Sequence, residues 1–374
     1  VWFHAPSVGE GLMALPLIQK VRAELPDVQI AYTFFSPSAE RFARTLDVDI
    51  AEYLPFDTAA AAERLLDALA PNALIFSKLD VWPILVEHAH ARGVKLGLTS
   101  AAMSSASLRT RGIGAALTRD AYGMLDRVGA ASERDAKALV KAGVHPNRIQ
   151  VTGDTRYDQA WTRAHVTLPN QEVVDDLHTH ERFTLVAGST WPADEAVLFP
   201  AWQDFARSGA GVTPRLIIAP HEIRDTQLRQ IETWAKRASL SCKRIAEPGV
   251  EYADVVLVDR IGILADLYRI ATVAYVGGGF HSHGLHSVVE PAVFHVPILV
   301  GPQSSSSRDA MIMRDDGGLL VVNDAKEMAT SLTSLATSDA LRSRMQHALS
   351  TTVSRELGAT QRSFEIVREL LGVV

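Results

Sequence analysis

A chain of 374 residues has room for two domains of ordinary size, and 47% hydrophobic against 21% charged residues is a globular balance that excludes a disordered or collagen-like polymer. With 37 Lys+Arg against 43 Asp+Glu the formal net charge is −6, so no overall basic field favours nucleic acid as a partner. The single cysteine, Cys242, excludes an internal disulfide framework and any Cys-based zinc site, and it fits a reducing compartment.

Short apolar runs alternate with amphipathic stretches along the chain. Residues 1–5, 29–35, 73–77, 94–99 and 127–131 read as strands buried on both faces. Between them, 11–25 (apolar at Leu12, Leu15, Ile18, Val21 and Leu25), 60–69, 84–91 and 133–142 carry helical periodicity. The stretch 158–182 is polar, contains Pro169 and Asn170, and reads as a linker. Strand-like runs resume at 184–187, 215–219, 255–258, 273–276, 298–300 and 319–322, and the chain closes on helical stretches at 325–336, 338–349 and 361–371. This grammar predicts an α/β fold of two doubly wound domains, residues 1–160 and 161–374, around a cleft. Ligands of such sheets bind at the carboxyl ends of strands, so the loops after strands are the places to search. No apolar run approaches the ~20 residues that cross a bilayer. The chain opens directly on an apolar strand, which leads us to expect a hydrophobic segment upstream of Val1.

The first such loop is His4-Ala5-Pro6-Ser7-Val8-Gly9-Glu10. Glu10 falls near a helix N-terminus, where a carboxylate either stabilises the helix end or serves as a general base weakened by the dipole. In Thr33-Phe34-Phe35-Ser36-Pro37-Ser38, Ser36 and Ser38 either cap the next helix or offer hydroxyls to a sugar or phosphate. Asp80 and Trp82 either line a substrate wall or start a helix, and Arg109 and Arg111 stand among hydroxyls as an anion-binding loop or a solvated turn.

In the second half, the amides of Gly188, Ser189 and Thr190 precede a helix and are candidates for cradling a phosphate. His221 and Glu222 follow the next strand. The densest stretch is Gly277-Gly278-Gly279-Phe280-His281-Ser282-His283-Gly284-Leu285-His286-Ser287-Val288-Val289-Glu290, in which three glycines permit close backbone approach and Glu290 follows His286 by about one helical turn. His281, His283 and His286 match no metal-ligand spacing, and the third glycine of the run comes too late for a dinucleotide fingerprint. There is no G-x-x-x-x-G-K-[ST] loop and no Asp-x-Asp after a strand, which argues against a P-loop NTPase and a metal-dependent sugar transferase.

Taken together, His4-Ala5-x-Ser7-Val8-Gly9-Glu10, Phe34-Phe35-Ser36-Pro37-Ser38, Tyr53-Leu54-Pro55-Phe56-Asp57, Val81-Trp82-Pro83, Gly153-Asp154-Thr155-Arg156-Tyr157-Asp158, Ala187-Gly188-Ser189-Thr190, Ala219-Pro220-His221-Glu222 and the 277–291 stretch resemble, in family order, the 3-deoxy-D-manno-octulosonic acid (Kdo) transferases. Those enzymes add Kdo to the lipid A precursor of Gram-negative bacteria. The resemblance implies a GT-B fold of two Rossmann-like domains facing a central cleft, with the lipid A precursor held by the first and CMP-Kdo by the second. It implies that the last helices pack back on the first domain. It also implies an inverting transfer that needs no metal or other cofactor, at the cytoplasmic face of the inner membrane, with an N-terminal anchor ahead of Val1. Glu10 matches the catalytic base. His221, Glu222, Gly277, Gly278, Gly279, Ser287 and Glu290 match the region that grips the cytidine nucleotide, with Glu290 on the ribose hydroxyls; Gly188, Ser189, Thr190 and His286 join them as donor-site candidates. Ser36, Ser38, Asp80, Trp82, Arg109 and Arg111 are the acceptor-site candidates. Three departures stand out: Ser287 where many members have Asn, Ser77-Lys78-Leu79 where an acidic residue is common, and no Arg between Pro220 and His221. The alternatives are another GT-B enzyme, such as a nucleotide-sugar 2-epimerase or a transferase with a different donor, and a non-catalytic homologue that binds sugar nucleotide or lipid.

Overall fold

A computed structural model describes residues 1–373 except 104–111, 166–169, 179–181, 209 and 283, and only the backbone of 112–117. The chain divides into two compact units, Val1–Gln159 with Glu356–Val374, and Ala160–Arg355. Among the described residues no helix is long and apolar enough to cross a membrane.

The first unit holds strands β1 (Trp2–His4), β2 (Ala31–Phe34), β3 (Ile50–Tyr53), β4 (Ala73–Ser77), β5 (Lys95–Ala101), β6 (Arg127–Ala130) and β7 (Ile149–Val151) in one parallel sheet, ordered β3-β2-β1-β4-β5-β6-β7. The two central strands, β1 and β4, are buried from end to end, as their apolar runs predict. One face is covered by a core of Trp2, Leu74, Phe76, Leu85, Leu96 and their neighbours, the other by Phe3, Leu17, Val21, Ile75, Phe364 and Val367. The last two belong to the terminal helix Ala359–Leu371, which therefore completes the core of the first sheet. Asp158 fastens its start by accepting from the amides of Gly358 (2.7 Å) and Thr360 (2.5 Å). Arg362 adds a bond to the Thr152 carbonyl at 2.8 Å. Thr155 in the same stretch donates to the Met13 carbonyl at 2.6 Å, so much of the Gly153–Asp158 motif ties this unit together.

The second unit repeats the plan with β8 (Phe183–Thr190), β9 (Pro214–Pro220), β10 (Cys242–Arg244), β11 (Val255–Leu257), β12 (Val273–Val276), β13 (Ile298–Val300) and β14 (Leu319–Val321), ordered β10-β11-β9-β8-β12-β13-β14 and again parallel throughout. Its two cores are built on Leu185, Trp202, Ile218 and Tyr275, and on Val186, Ile217, Leu267 and Tyr268. Each unit is thus the doubly wound α/β type that the alternation predicts.

Two expectations need correction. The 158–182 stretch is not an unstructured linker: it carries parts of the helix Thr155–His165 and the helix Gln171–His178, whose Val174 and Leu177 are buried beneath a polar outer face. Strands β3, β7 and β10 are not among the runs read as strands: each is an edge strand, and Ile-Ala-Glu-Tyr, Ile-Gln-Val and Cys-Lys-Arg do not show as buried runs.

Candidate active site

In an open parallel sheet, the point where the strand order reverses leaves a crevice outside the carboxyl ends of two neighbouring strands. In the first sheet that point lies between β1 and β4, and in the second between β8 and β12. Most of the polar residues singled out above follow one of these four strands.

After β1 the chain turns through Pro6 and Ser7 into the helix Val8–Glu24, and Glu10 falls in its first turn. Ser7 makes no side-chain bond to the helix amides; its hydroxyl donates to Glu10 Oε2 instead. From the end of β4, Lys78 Nζ reaches Glu10 Oε1 at 3.1 Å. The Glu10 side chain is 18% exposed and that of Lys78 43%. Burial alone would raise the Glu10 carboxyl, but the Ser7 hydroxyl and the Lys78 ammonium outweigh it and hold the group below the ordinary carboxylate range. Glu10 is therefore an anion at neutral pH, oriented by both neighbours. Lys78 was missed as a site residue; its only signal was its place in a loop after a strand.

Beside this pair lies a chain of hydrogen bonds from the core to the surface. Trp2 Nε1 donates to Thr33 Oγ1 (2.8 Å), Thr33 Oγ1 meets His4 Nδ1 (2.9 Å), and His4 Nε2 meets Asp80 Oδ2 (3.1 Å). Because the Asp80 carboxylate can only accept, His4 Nε2 carries a proton facing it, and in the neutral ring Nδ1 then accepts from the Thr33 hydroxyl. Trp82 Nε1 donates to the same Asp80 oxygen at 2.7 Å. Asp80 and Trp82 are thus locked to each other, and Trp82 also precedes the helix Pro83–Ala91. Trp82 and Phe35 pack edge to face at 5.1 Å, and Phe35 meets the exposed Phe56 at 5.6 Å, which makes an aromatic surface. Ser36 and Ser38 bond to one another at 2.8 Å and do not cap the following turn, so the capping alternative is corrected. Arg109 and Arg111 lie outside the described residues.

In the second unit, Asp194 organises the switch point. It is fully buried and accepts from three groups: Tyr275 Oη on Oδ1 (2.7 Å), and the amides of Trp191 and Gly278 on Oδ2 (both 2.9 Å). The glycine run lies against the backbone around it. The Gly278 amide is committed to Asp194. A Cβ on Gly277 would lie 2.1 Å from the Ser189 carbonyl oxygen, and one on Gly279 would lie 2.4 Å from the Gly301 amide. The glycines let backbone approach backbone. Gly188 likewise lies inside β8, its carbonyl accepts from the Gly277 amide, and a Cβ there would meet the Tyr268 hydroxyl at 2.2 Å. Ser189 takes a left-handed φ of +54°, which shifts the register where β8 leaves β9. Thr190 donates to the buried Glu195 at 3.0 Å, so its hydroxyl serves the core.

Histidines 221 and 286 come together around Trp191. The Trp191 and His221 rings stack at 4.6 Å, the two imidazoles lie 4.3 Å apart, and Trp191 Nε1 donates to His286 Nε2 at 3.0 Å. Burial, with His221 beside it, pushes His286 down to about 4, so it is neutral at pH 7 and carries its proton on Nδ1. The helix expected to join His286 to Glu290 begins only at Val289, and it is His221, 4.3 Å from His286, that shares a pocket with Glu290. That pocket holds about 240 Å³ and is also lined by Ser189, Arg163, Arg260 and Ile261. Burial raises the Glu290 carboxyl, while Arg163 acts to lower it. The sequence reading missed both arginines: Arg163 stood in the supposed linker, and Arg260 follows β11, where an Asp-Arg-Ile-Gly loop drew no attention. Glu222 turns away to pair with Arg224 at 2.9 Å, and Ser287 is exposed. Among the described residues no three His, Cys, Asp or Glu side chains converge on a metal position; His283 lies outside them.

Residues 1–159 match a family described as 3-Deoxy-D-manno-octulosonic-acid transferase (kdotransferase). The chain is 31% identical over 390 aligned positions to the 3-deoxy-D-manno-octulosonic acid transferase of Bordetella pertussis, covering 100% of this chain and 87% of that one. The Haemophilus influenzae protein of the same name is 24% identical, over 99% and 87% of the two chains. Among solved structures, a UDP-GlcNAc 2-epimerase from Neisseria meningitidis bound to UDP-GlcNAc superposes with a TM-score of 0.69 at 12% identity, over 99% of this chain and 98% of that one. At such identity the likeness speaks for the fold alone, which is of the GT-B type.

Proposed function

Because the chain belongs to the Kdo transferase family, we propose that it is an inverting glycosyltransferase that moves Kdo from CMP-Kdo to a lipid A precursor. The observation that carries this reading is the 31% identity to a Kdo transferase over the full length of this chain. The seat of Glu10 supports it: an oriented, ionised carboxylate outside a switch point. The acceptor hydroxyl attacks the anomeric carbon of Kdo, the bond from that carbon to the phosphate oxygen of CMP breaks, and the hydroxyl proton passes to Glu10. Asp80, Trp82, Ser36 and Ser38 border the acceptor, together with Arg109 and Arg111. In the second unit's pocket, Glu290 takes the ribose hydroxyls and His221 and Ser189 flank the nucleotide, while Arg163 and Arg260 place positive charge where the departing phosphate gains negative charge. The protein works without a metal ion at the cytoplasmic face of the inner membrane.

A nucleotide thermal-shift panel and a transfer assay test the reading. A ligand that binds only the native state at a hundred times its Kd adds about 2.7 kcal/mol, so CMP raises the melting temperature and UDP does not. Glu10→Gln keeps the CMP shift and lowers kcat by roughly 10²–10⁴, the scale of general-base catalysis. UDP binding with CMP inert would point to another GT-B enzyme. CMP binding without transfer to any acceptor would point to a non-catalytic homologue.

A further inference from the structure

Lys78, the residue that follows β4, has a left-handed φ of +63°, a conformation that costs a side chain with a Cβ. Its amide donates to the Thr99 carbonyl at 2.9 Å, so β5 holds the turn in place. The turn carries Nζ to Glu10, a residue 68 positions earlier in the chain. The groups facing the Glu10 carboxylate come from three elements: Ser7 from the loop after β1, Tyr32 from β2 and Lys78 from the end of β4. Asp80, from the same loop as Lys78, is engaged instead by His4 and Trp82. Among the described residues, the cation within ion-pair distance of Glu10 is Lys78.

We propose that Lys78 is a positioning residue for the transfer: its left-handed turn lays the ammonium against Glu10 and keeps that carboxylate ionised and aimed for the acceptor hydroxyl. The inference rests on Glu10 as the base. A half-buried carboxylate without a counter-charge drifts toward its protonated form, which accepts no proton. The ion pair gives up some basicity in exchange for a site that is deprotonated before the acceptor arrives.

The experiment follows the Glu10 carboxyl carbon by NMR across a pH titration, with the resonance assigned through Glu10→Gln, and records the pH dependence of kcat/KM on the same proteins. Lys78→Gln removes the charge. Lys78→Gly also removes it but relieves the left-handed backbone, so it separates loss of the ammonium from loss of the fold. Lys78→Arg restores a cation. The expected result is that the Glu10 titration midpoint and the acidic limb of the rate profile move together to higher pH in the Gln and Gly variants and return toward wild type in the Arg variant. The limb of kcat/KM reports groups on the free enzyme, so the two shifts should agree. A midpoint unchanged in both neutral variants overturns the proposal whether or not the enzyme turns over. A midpoint that moves while the limb stays in place rejects Glu10 as the base, and with it any part for Lys78 in the reaction. Absence of Kdo transfer by the wild type, with the midpoint shift present, tells against the functional reading and leaves the pairing established.

Discussion

Asp194 ties the start of its own helix to β12 and the turn after it, and two substitutions there separate its roles as acceptor and as charge. Replacing it with Ala strips the acceptor from the Trp191 amide, the Gly278 amide and the Tyr275 hydroxyl. Asp194 and Tyr275 are both fully buried, so water is slow to replace what is lost. At about 1–3 kcal/mol for each of the three donors left unpaired, Asp194→Ala should cost roughly 3–9 kcal/mol, a large part of a domain's stability. Asn is different. Its amide oxygen accepts the two backbone amides, and its NH₂ donates to the Tyr275 oxygen, so all three bonds survive without the charge; the cost should be roughly 1–2 kcal/mol. Urea unfolding followed by the fluorescence of Trp191, Trp202 and Trp234 measures both variants, and CMP affinity reports whether the Gly278 turn keeps its shape. An Ala variant within about 1 kcal/mol of wild type would refute the acceptor argument. An Asn variant as unstable as Ala would show that the charge, rather than the number of acceptors, holds the site.

Three further outcomes follow. His286 is held down to about 4 from an ordinary 6.5, so its contribution to stability is present above 6.5 and is lost as pH falls toward 4; over that window wild type should lose roughly 2–3 kcal/mol and His286→Asn much less, measured by urea midpoints at each pH. Gly277→Ala places a methyl against the Ser189 carbonyl, a backbone atom that cannot rotate aside, and should destabilise the second unit by roughly 1–3 kcal/mol and weaken CMP binding; unchanged melting would show that the two loops move apart freely. Transfer should survive excess EDTA; loss of turnover restored by magnesium would overturn the metal-free mechanism.

How much of this was legible in the sequence depends on what each feature needs. Inner strands such as β4 and β12 are buried on both faces, so they must be apolar, and their runs stood out. Edge strands β7 and β10 pair on one side only, and their polar triplets carry no such mark. Glu10 could be found because a carboxylate just after a strand is local information. The Lys78 contact could not, because it joins residues 68 apart whose strands lie side by side only once the sheet order is known. The glycine run was legible as a place of close approach, but a missing Cβ says that something comes near without saying what. Here it is the carbonyl of Ser189 and the amide of Gly301.

Strand order supplies what spacing lacks. At a reversal of winding, the two central strands are hydrogen-bonded neighbours although the chain between them visits one whole side of the sheet, so the loops that leave their carboxyl ends meet across the crevice. In the first unit that rule pairs the loop after β1 with the end of β4, and the pairing yields Glu10 with Lys78 and His4 with Asp80. In the second it pairs the loop after β8 with the turn after β12, and the pairing yields Asp194 with Gly278 and Trp191 with His286. All four contacts join residues that no local motif connects. A carboxylate just after the first strand of such a unit is therefore read best together with the first residues after its switch-point neighbour: in this chain a lysine there lies 3.1 Å from the carboxylate and, with the Ser7 hydroxyl, favours its ionised form.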